Sequence, residues 1–170
     1  GNIMDFNEKF NLSMEYLHKQ GAFLTAKVDD KVNTMTISWG SVGFMWGKPV
    51  FMALIRPQRY TNEFIEKSNS FTVSIPFSSD LKQALGVCGS KSGRNVDKEN
   101  EAKINFISGK DEMFAIVDKC DVYYECKVLY SNKLKTEELP NDIKDSFYSA
   151  GDTHILYFAE IVNCYKGKDI

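Results

Sequence analysis

The sequence has no C-x-x-C pair, and its two histidines, His18 and His154, lie far apart. A structural zinc site draws its ligands from close pairs, so zinc is a poor reading and no metal is expected. The four cysteines, Cys88, Cys120, Cys126 and Cys164, are scattered. A core of this size needs no staples, so reduced, mostly buried thiols are expected rather than disulfides. No run reaches the roughly 18 apolar residues of a membrane-spanning helix. The first residues, GNIMDFNEKFNLSM, carry charges and lack a signal-peptide core, so a cytoplasmic location is expected. Charge of one sign is also lacking: 21 basic and 23 acidic residues leave a formal charge of −2. Without a strong field, nucleic acid and membrane surfaces are poor partners.

Several catalytic signatures are missing as well. G-x-x-x-x-G-K-S/T and G-x-G-x-x-G do not occur, so no phosphate loop or dinucleotide fingerprint is present. G-x-S-x-G is absent, which excludes the α/β-hydrolase elbow. A Ser/His/Asp triad built on His154 has no nucleophile marked beside it. Internal repeats and low-complexity tracts are absent.

The chain does have 170 residues, 43% hydrophobic and 13% aromatic, which suits one packed domain over residues 1–170. Residues 11–20 read as a turn or short helix. Residues 22–28 and 32–39 read as strands around the polar turn Asp29-Asp30-Lys31, hence a hairpin. Gly40, Gly43 and Gly47 suggest a loop that also carries Trp46. The apolar run 49–55 reads as a strand stopped at Arg56-Pro57. A helix is predicted over 62–68 with Thr61 as its N-cap. Phe71, Val73, Ile75 and Phe77 alternate with polar neighbours, the period of a half-buried strand. Ser79 or Asp80 can cap a second helix through Leu81, Ala84 and Leu85. Residues 89–103 are the most polar and loop-like. Strands are predicted over 120–130, with Val122, Tyr124, Cys126 and Val128 on one face, and over 154–165. Residues 136–152 read as an acidic loop with a helical turn. About six or seven strands, mostly close enough for antiparallel pairing, with a few short helices, describe a mainly β, closed or nearly closed barrel.

Three polar clusters stand out. Thr36-x-Ser38-Trp39-Gly40 closes one strand. Arg56-Pro57-Gln58-Arg59-Tyr60-Thr61 joins a strand to a helix. Gly89-Ser90-Lys91-Ser92-Gly93-Arg94 opens the polar stretch, with Asp97-Lys98 just after it. A helix start carries unpaired N–H groups and about half a positive charge. Two arginines and a hydroxyl beside it suit a phosphate, and the third cluster adds small residues that let backbone approach. Each cluster has a plain alternative: Thr61 as a cap only, the arginines as surface charges, the glycines as turns, Trp39 and Trp46 as core.

The run NTMTISWGSVGFMWGKPVFMALIRPQRYTNEFIEKSNSFTVSIP (residues 33–76) resembles the flavin reductase-like family of FMN-binding split β-barrels, of the flavoredoxin type. CGSKSGRNVDK (88–98) and GDTHILYFAEIV (151–162) resemble later motifs of the same family. The resemblance implies an antiparallel, Greek-key-like split barrel, a homodimer, and tightly bound FMN near the dimer interface. It puts Thr36, Ser38, Trp39 and Gly40 beside the isoalloxazine ring, chiefly through backbone. It puts Arg56, Tyr60 and Thr61 near the phosphate, with Ser90, Lys91 and Ser92 closing over it and Lys98 as a further cation. His154 would face the flavin or a nicotinamide. The implied function is an FMN-dependent oxidoreductase passing electrons from NAD(P)H or a protein donor to a small acceptor such as free flavin or ferric iron. A non-enzymatic electron carrier or flavin store is the alternative. No protein acid–base residue is required, because hydride passes directly between the two cofactors.

Overall fold

The structure is a computed structural model and describes residues 6–169. Helix α1 (Phe10–Lys19) buries Ser13 and Leu17. It ends before Gly21, whose φ of +100° favours glycine and whose added Cβ would lie 2.8 Å from Cγ2 of Thr36. Strands β1 (Ala22–Val28) and β2 (Lys31–Ile37) form the expected hairpin.

Residues 40–45, expected as loop, form strand β3 (Gly40–Met45), paired residue for residue with β4 (Lys48–Ile55). The glycines do not break it because β3 lies at the sheet edge and is half-exposed. The turn falls at Trp46 and Gly47, both with positive φ, as a two-residue hairpin loop requires. Helix α2 (Tyr60–Ser68) follows, then β5 (Ser70–Ile75).

A 3-10 turn at Ser79–Leu81 leads into α3 (Lys82–Ser90). Neither Ser79 nor Asp80 caps α3: the 3-10 turn is capped by Ser78, whose hydroxyl accepts from the Asp80 N–H, and α3 follows Leu81 with no side-chain cap. The polar stretch holds a short helix, α4 (Lys98–Ala102), capped by the Asp97 carboxylate. Short strands β6 (Phe106–Ser108) and β7 (Ala115–Val117) pair with each other. Strand β8 (Val122–Lys133), helix α5 (Asn141–Phe147) and strand β9 (Ile155–Lys166) complete the chain.

Seven strands make one antiparallel sheet in the order β2-β1-β5-β8-β9-β4-β3. It curls into the split barrel that the sequence suggests. Leu24, Ile37, Phe51, Phe71, Val73 and Tyr124 fill its interior, joined by Phe64 and Ile65 of α2. A second core lies on the outer face, where α3, α4 and the β6–β7 hairpin cover Phe23, Tyr123 and Tyr165. Strand β5 is therefore buried on both faces rather than one. Its polar face is satisfied: Thr72 donates to Ala115 O at 2.7 Å, and Val117 N–H donates to Ser74 Oγ at 3.2 Å.

The edges β2 and β3 are joined only by Ser38 and Trp39, so the split in the barrel opens beside this link.

Candidate functional site

A cleft of about 320 Å³ lies at the split, lined by residues 35–39 and by Leu54, Arg56, Arg59 and His154. Strand β2 has only one neighbour in the sheet. Alternate main-chain groups of an edge strand point away from its ladder, and residues 35–37 of this strand line the cleft. Thr36 lines the cleft, and its hydroxyl donates to Leu85 O at 2.7 Å. Ser38 and Trp39 line the cleft and are exposed, Trp39 at 40%. Gly40 does not line it. It opens β3, where an added Cβ would meet Met52 O and Phe51 at 3.0 Å.

The far wall is built by the end of α5 and the segment after it. Trp39 meets Phe147 edge to face at 4.9 Å and lies 5.5 Å from the His154 ring. His154 is 7% exposed, and its Nδ1 hydrogen-bonds the Tyr148 hydroxyl at 2.7 Å. Burial pulls the imidazole down to about 4, Arg56 pushing the same way and Asp152 opposing. The ring is thus neutral at physiological pH. Burial also raises Tyr148 above its ordinary value.

Arg56 stands in this cleft and not with the anion-binding set that the resemblance assigns it to. Its guanidinium pairs with Asp152, donates to Phe147 O at 3.2 Å and lies 5.7 Å from the Tyr148 ring centre. The turn at Pro57 and Gln58 separates it from Arg59, which lines both this cleft and the next.

A second cleft, of about 160 Å³, adjoins the first at Arg59. Gln58, Tyr60, Thr61, Ser90, Lys91, Ser92, Arg94 and Lys98 line it with Arg59. The structure thus brings together Tyr60, Thr61, Ser90, Lys91, Ser92 and Lys98 as expected. Thr61 is not the helix cap: α2 begins at Tyr60, and the buried Thr61 hydroxyl accepts from Asn33 Nδ2 at 2.7 Å. Arg59 donates to Gly89 O at 3.0 Å and Cys88 O at 3.1 Å. Lys98, 5% exposed, donates to Thr34 O at 2.5 Å and Cys88 O at 3.3 Å.

Burial draws the Lys98 ammonium down to about 8, with Cys88 opposing and Arg59 adding to the effect. Burial likewise lowers Arg59 and pushes the Cys88 thiol up to about 11, against the pull of Lys98 and Arg59. Among the described residues, neither Arg59 nor Lys98 has a carboxylate within ion-pair distance. Two desolvated cations without counter-charge, beside a helix start, fit an anion of about two charges.

The sequence motifs marked most of this. Arg59 and Arg94 fall within the polar clusters, but the resemblance gives them no role; Arg59 lines both clefts, and Arg94 lies 4.8 Å from the Tyr60 ring centre. Tyr148 and Asn33 carried no motif signal, since their roles depend on contacts across the fold.

A family model described as Flavin reductase like domain matches residues 14–170. The chain belongs to that family. No curated protein matches it. Among solved structures, the chain is similar to a flavoredoxin from Methanosarcina acetivorans, with 23% identity and TM-score 0.68 over 86% of this chain and 67% of that one. It is also similar to an FMN-binding protein from Thermus thermophilus, with 23% identity and TM-score 0.67 over 88% and 72%. An NADH:FAD oxidoreductase from Streptomyces globisporus shares the flavin reductase-like fold at 11% identity, with TM-score 0.64 over 98% and 87%. Among the described residues no helix is long and apolar enough to cross a membrane.

Proposed function

We propose that this protein binds FMN across the two adjoining clefts and works as a flavin reductase-like oxidoreductase. The observation that carries the reading is the pair of half-buried Arg59 and buried Lys98, neither with a carboxylate in ion-pair distance among the described residues, at the end of a cleft walled by an edge strand. Family membership and the FMN-binding names of structural neighbours support it. Bound FMN would supply the redox chemistry, taking hydride from a reduced nicotinamide or electrons from a protein donor and passing them to a small acceptor.

The chain's own residues have distinct tasks in this reading. The main chain of residues 35–39 offers donors and acceptors to the polar rim of a flat ring, held rigid by the β1 pairing. Fixed dipoles of this kind stabilise developing negative charge without reorganisation. Arg59 and Lys98 hold the phosphate, and Tyr60, Thr61, Ser90, Lys91 and Ser92 enclose it. Trp39, Phe147 and His154 form an aromatic wall that limits water, and Arg56 fixes that wall through Asp152 and Phe147. His154, neutral and tied to Tyr148, presents a polar edge without adding charge.

The reading extends to assembly and location. The described residues form one domain, and a second copy of the chain covers the apolar patch of Trp46, Leu129 and Tyr130, which are 60, 41 and 50% exposed. The four free thiols suit the reducing cytoplasm.

The test is the visible spectrum of the purified protein with added FMN, followed by rapid-mixing reduction with NADH and NADPH. A bound-flavin spectrum that bleaches with either donor supports the oxidoreductase. A bound flavin that no nicotinamide, protein or chemical acceptor turns over makes it a carrier or store instead.

A further inference from the structure

One nearly buried ring nitrogen in the first cleft has no protein partner. His154 lines that cleft and is 7% exposed. Its Nδ1 meets the Tyr148 hydroxyl at 2.7 Å, and among the described residues its Nε2 meets no donor or acceptor. The other polar side chains lining the cleft, the exposed Ser38 excepted, are committed elsewhere. Arg56 holds Asp152 and Phe147 O, Arg59 holds Gly89 O and Cys88 O, and Thr36 holds Leu85 O. The proton on His154 follows from Tyr148. That hydroxyl is buried, and His154 is its one hydrogen-bond partner among the described residues. Were Nδ1–H the donor, the tyrosine proton would lack an acceptor, which is costly for a buried group. With the hydroxyl donating, both groups are satisfied and the neutral imidazole carries its proton on Nε2. The ring is anchored from behind as well: Leu134 N–H donates to His154 O at 3.0 Å, and the Thr153 hydroxyl donates to Leu134 O at 3.0 Å.

We propose that Tyr148 is a positioning residue that fixes His154 as its Nε2–H tautomer, so that the ring donates one uncharged hydrogen bond to the carbonyl oxygen of a flat molecule lying against Trp39. The proposal rests on the oxidoreductase reading above and deepens it by naming what sets the donor and the chemical class that the donor meets: a planar, uncharged, conjugated carbonyl compound. Trp39 and Phe147, 40 and 46% exposed and in edge-to-face contact, offer apolar ring surface to such a molecule. The imidazole supplies an N–H without a charge. Asp152 already balances Arg56 in the same wall, so a carboxylate finds no free cation there. Tyr148 touches neither the flavin nor the carbonyl compound in this arrangement and acts through the ring of His154.

The experiment is proton–nitrogen NMR of the imidazole nitrogens in the intact protein and in Tyr148→Phe, with circular dichroism confirming each fold. The other histidine, His18, is exposed on α1 and reports the tautomer ratio of a solvated ring. The ratio of Nε2–H to Nδ1–H at His154 should exceed that at His18 at least about fivefold, the effect of one neutral hydrogen bond. Tyr148→Phe should return it towards the His18 value, a change that a tyrosine serving only to pack would not cause. Acetophenone and nicotinamide, added with and without FMN, should shift the Nε2 proton signal. Each should bind at least about threefold tighter than its counterpart without the carbonyl, ethylbenzene or pyridine. The stronger of the two margins tells a ketone from a carboxamide as the source of the oxygen. His154→Gln, which keeps a side-chain N–H, should retain the margin, and His154→Leu should lose it. An Nδ1–H tautomer in the parent protein, or an unchanged ratio in folded Tyr148→Phe, overturns the positioning. No margin with either probe overturns the ligand class. Failure of FMN to bind overturns the flavin reading alone, because the tautomers are read without it.

Discussion

The Tyr148 hydroxyl lies 2.7 Å from Nδ1 of His154, and the two rings meet edge to face at 5.4 Å. Burial favours the neutral imidazole, so His154 stays uncharged down to about pH 4. The unfolded imidazole gains its proton near 6.5. Between these values the unfolded chain holds the extra proton, so stability falls as pH drops through this window. NMR titration of His154 should show no protonation from pH 8 to pH 5. A transition between pH 6 and 7 would contradict the buried pair.

Gly93 lies against Asn33. An added Cβ would stand 2.0 Å from Asn33 Oδ1 and 3.1 Å from Tyr60 Cδ2. Asn33 cannot move aside without giving up its donation to Thr61. Gly93→Ala should lift residues 89–97 from the anion cleft and weaken FMN binding by about tenfold or more, the worth of roughly one lost charge-assisted contact. The check is an FMN titration beside a thermal melt. Unchanged affinity would show that the close approach is not needed.

Glu125 is fully buried and has no cation partner among the described residues. Its carboxylate accepts from the N–H groups of Lys110 and Asp111, from Asn163 Nδ2 at 2.8 Å and from the Tyr165 hydroxyl. It thereby fastens the loop between β6 and β7 to the barrel. Glu125→Ala leaves these donors unpaired and should cost about 3 kcal/mol or more. Chemical denaturation measures it. A loss below about 1 kcal/mol would deny Glu125 this role.

Lys98 makes flavin binding depend on pH. Its ammonium in the ligand-free protein releases a proton at about 8, with Arg59 and Cys88 as the charged or titratable groups around it. An anion favours the charged form, so binding draws in a proton above that value. FMN affinity should fall by up to about tenfold per unit above pH 8, and also below about pH 6 as the phosphate gains its proton. The ligand-free protein should instead gain stability as pH rises from about 8 towards 10.5, because only the unfolded chain keeps the proton there. Lys98→Met should flatten the alkaline limb. A limb that survives this substitution would assign it to another group.

Much of the barrel is legible in the sequence because its signals are local. Ala22–Val28, the Asp29-Asp30-Lys31 turn and the Val73/Ile75 alternation need no knowledge of the rest of the chain. Strand β3 is hidden because glycines at 40 and 43 weaken strand propensity, and its partner β4 supplies what propensity does not. Tyr123 and Glu125 fall on the face of β8 that alternation leaves to solvent, yet the β6–β7 hairpin buries them. Helix α4 sits inside the most polar stretch, and the Asp97 cap was its one local sign. The site motifs marked both clefts. That Arg56 lines only the first cleft while Arg59 lines both depends on how the Pro57 turn carries the chain, and spacing does not encode that.

In the proposed function, Arg59 and its neighbours receive a flavin phosphate. The most direct measurement is FMN titration of the parent protein, Arg59→Ala and Arg56→Ala, read by fluorescence quenching and by stoichiometry. One FMN should bind per chain, and Arg59→Ala should lose about tenfold or more in affinity. Arg56→Ala, whose guanidinium holds Asp152 and Phe147 O, should lose clearly less. No binding by the parent protein, or a greater loss in Arg56→Ala than in Arg59→Ala, would contradict it.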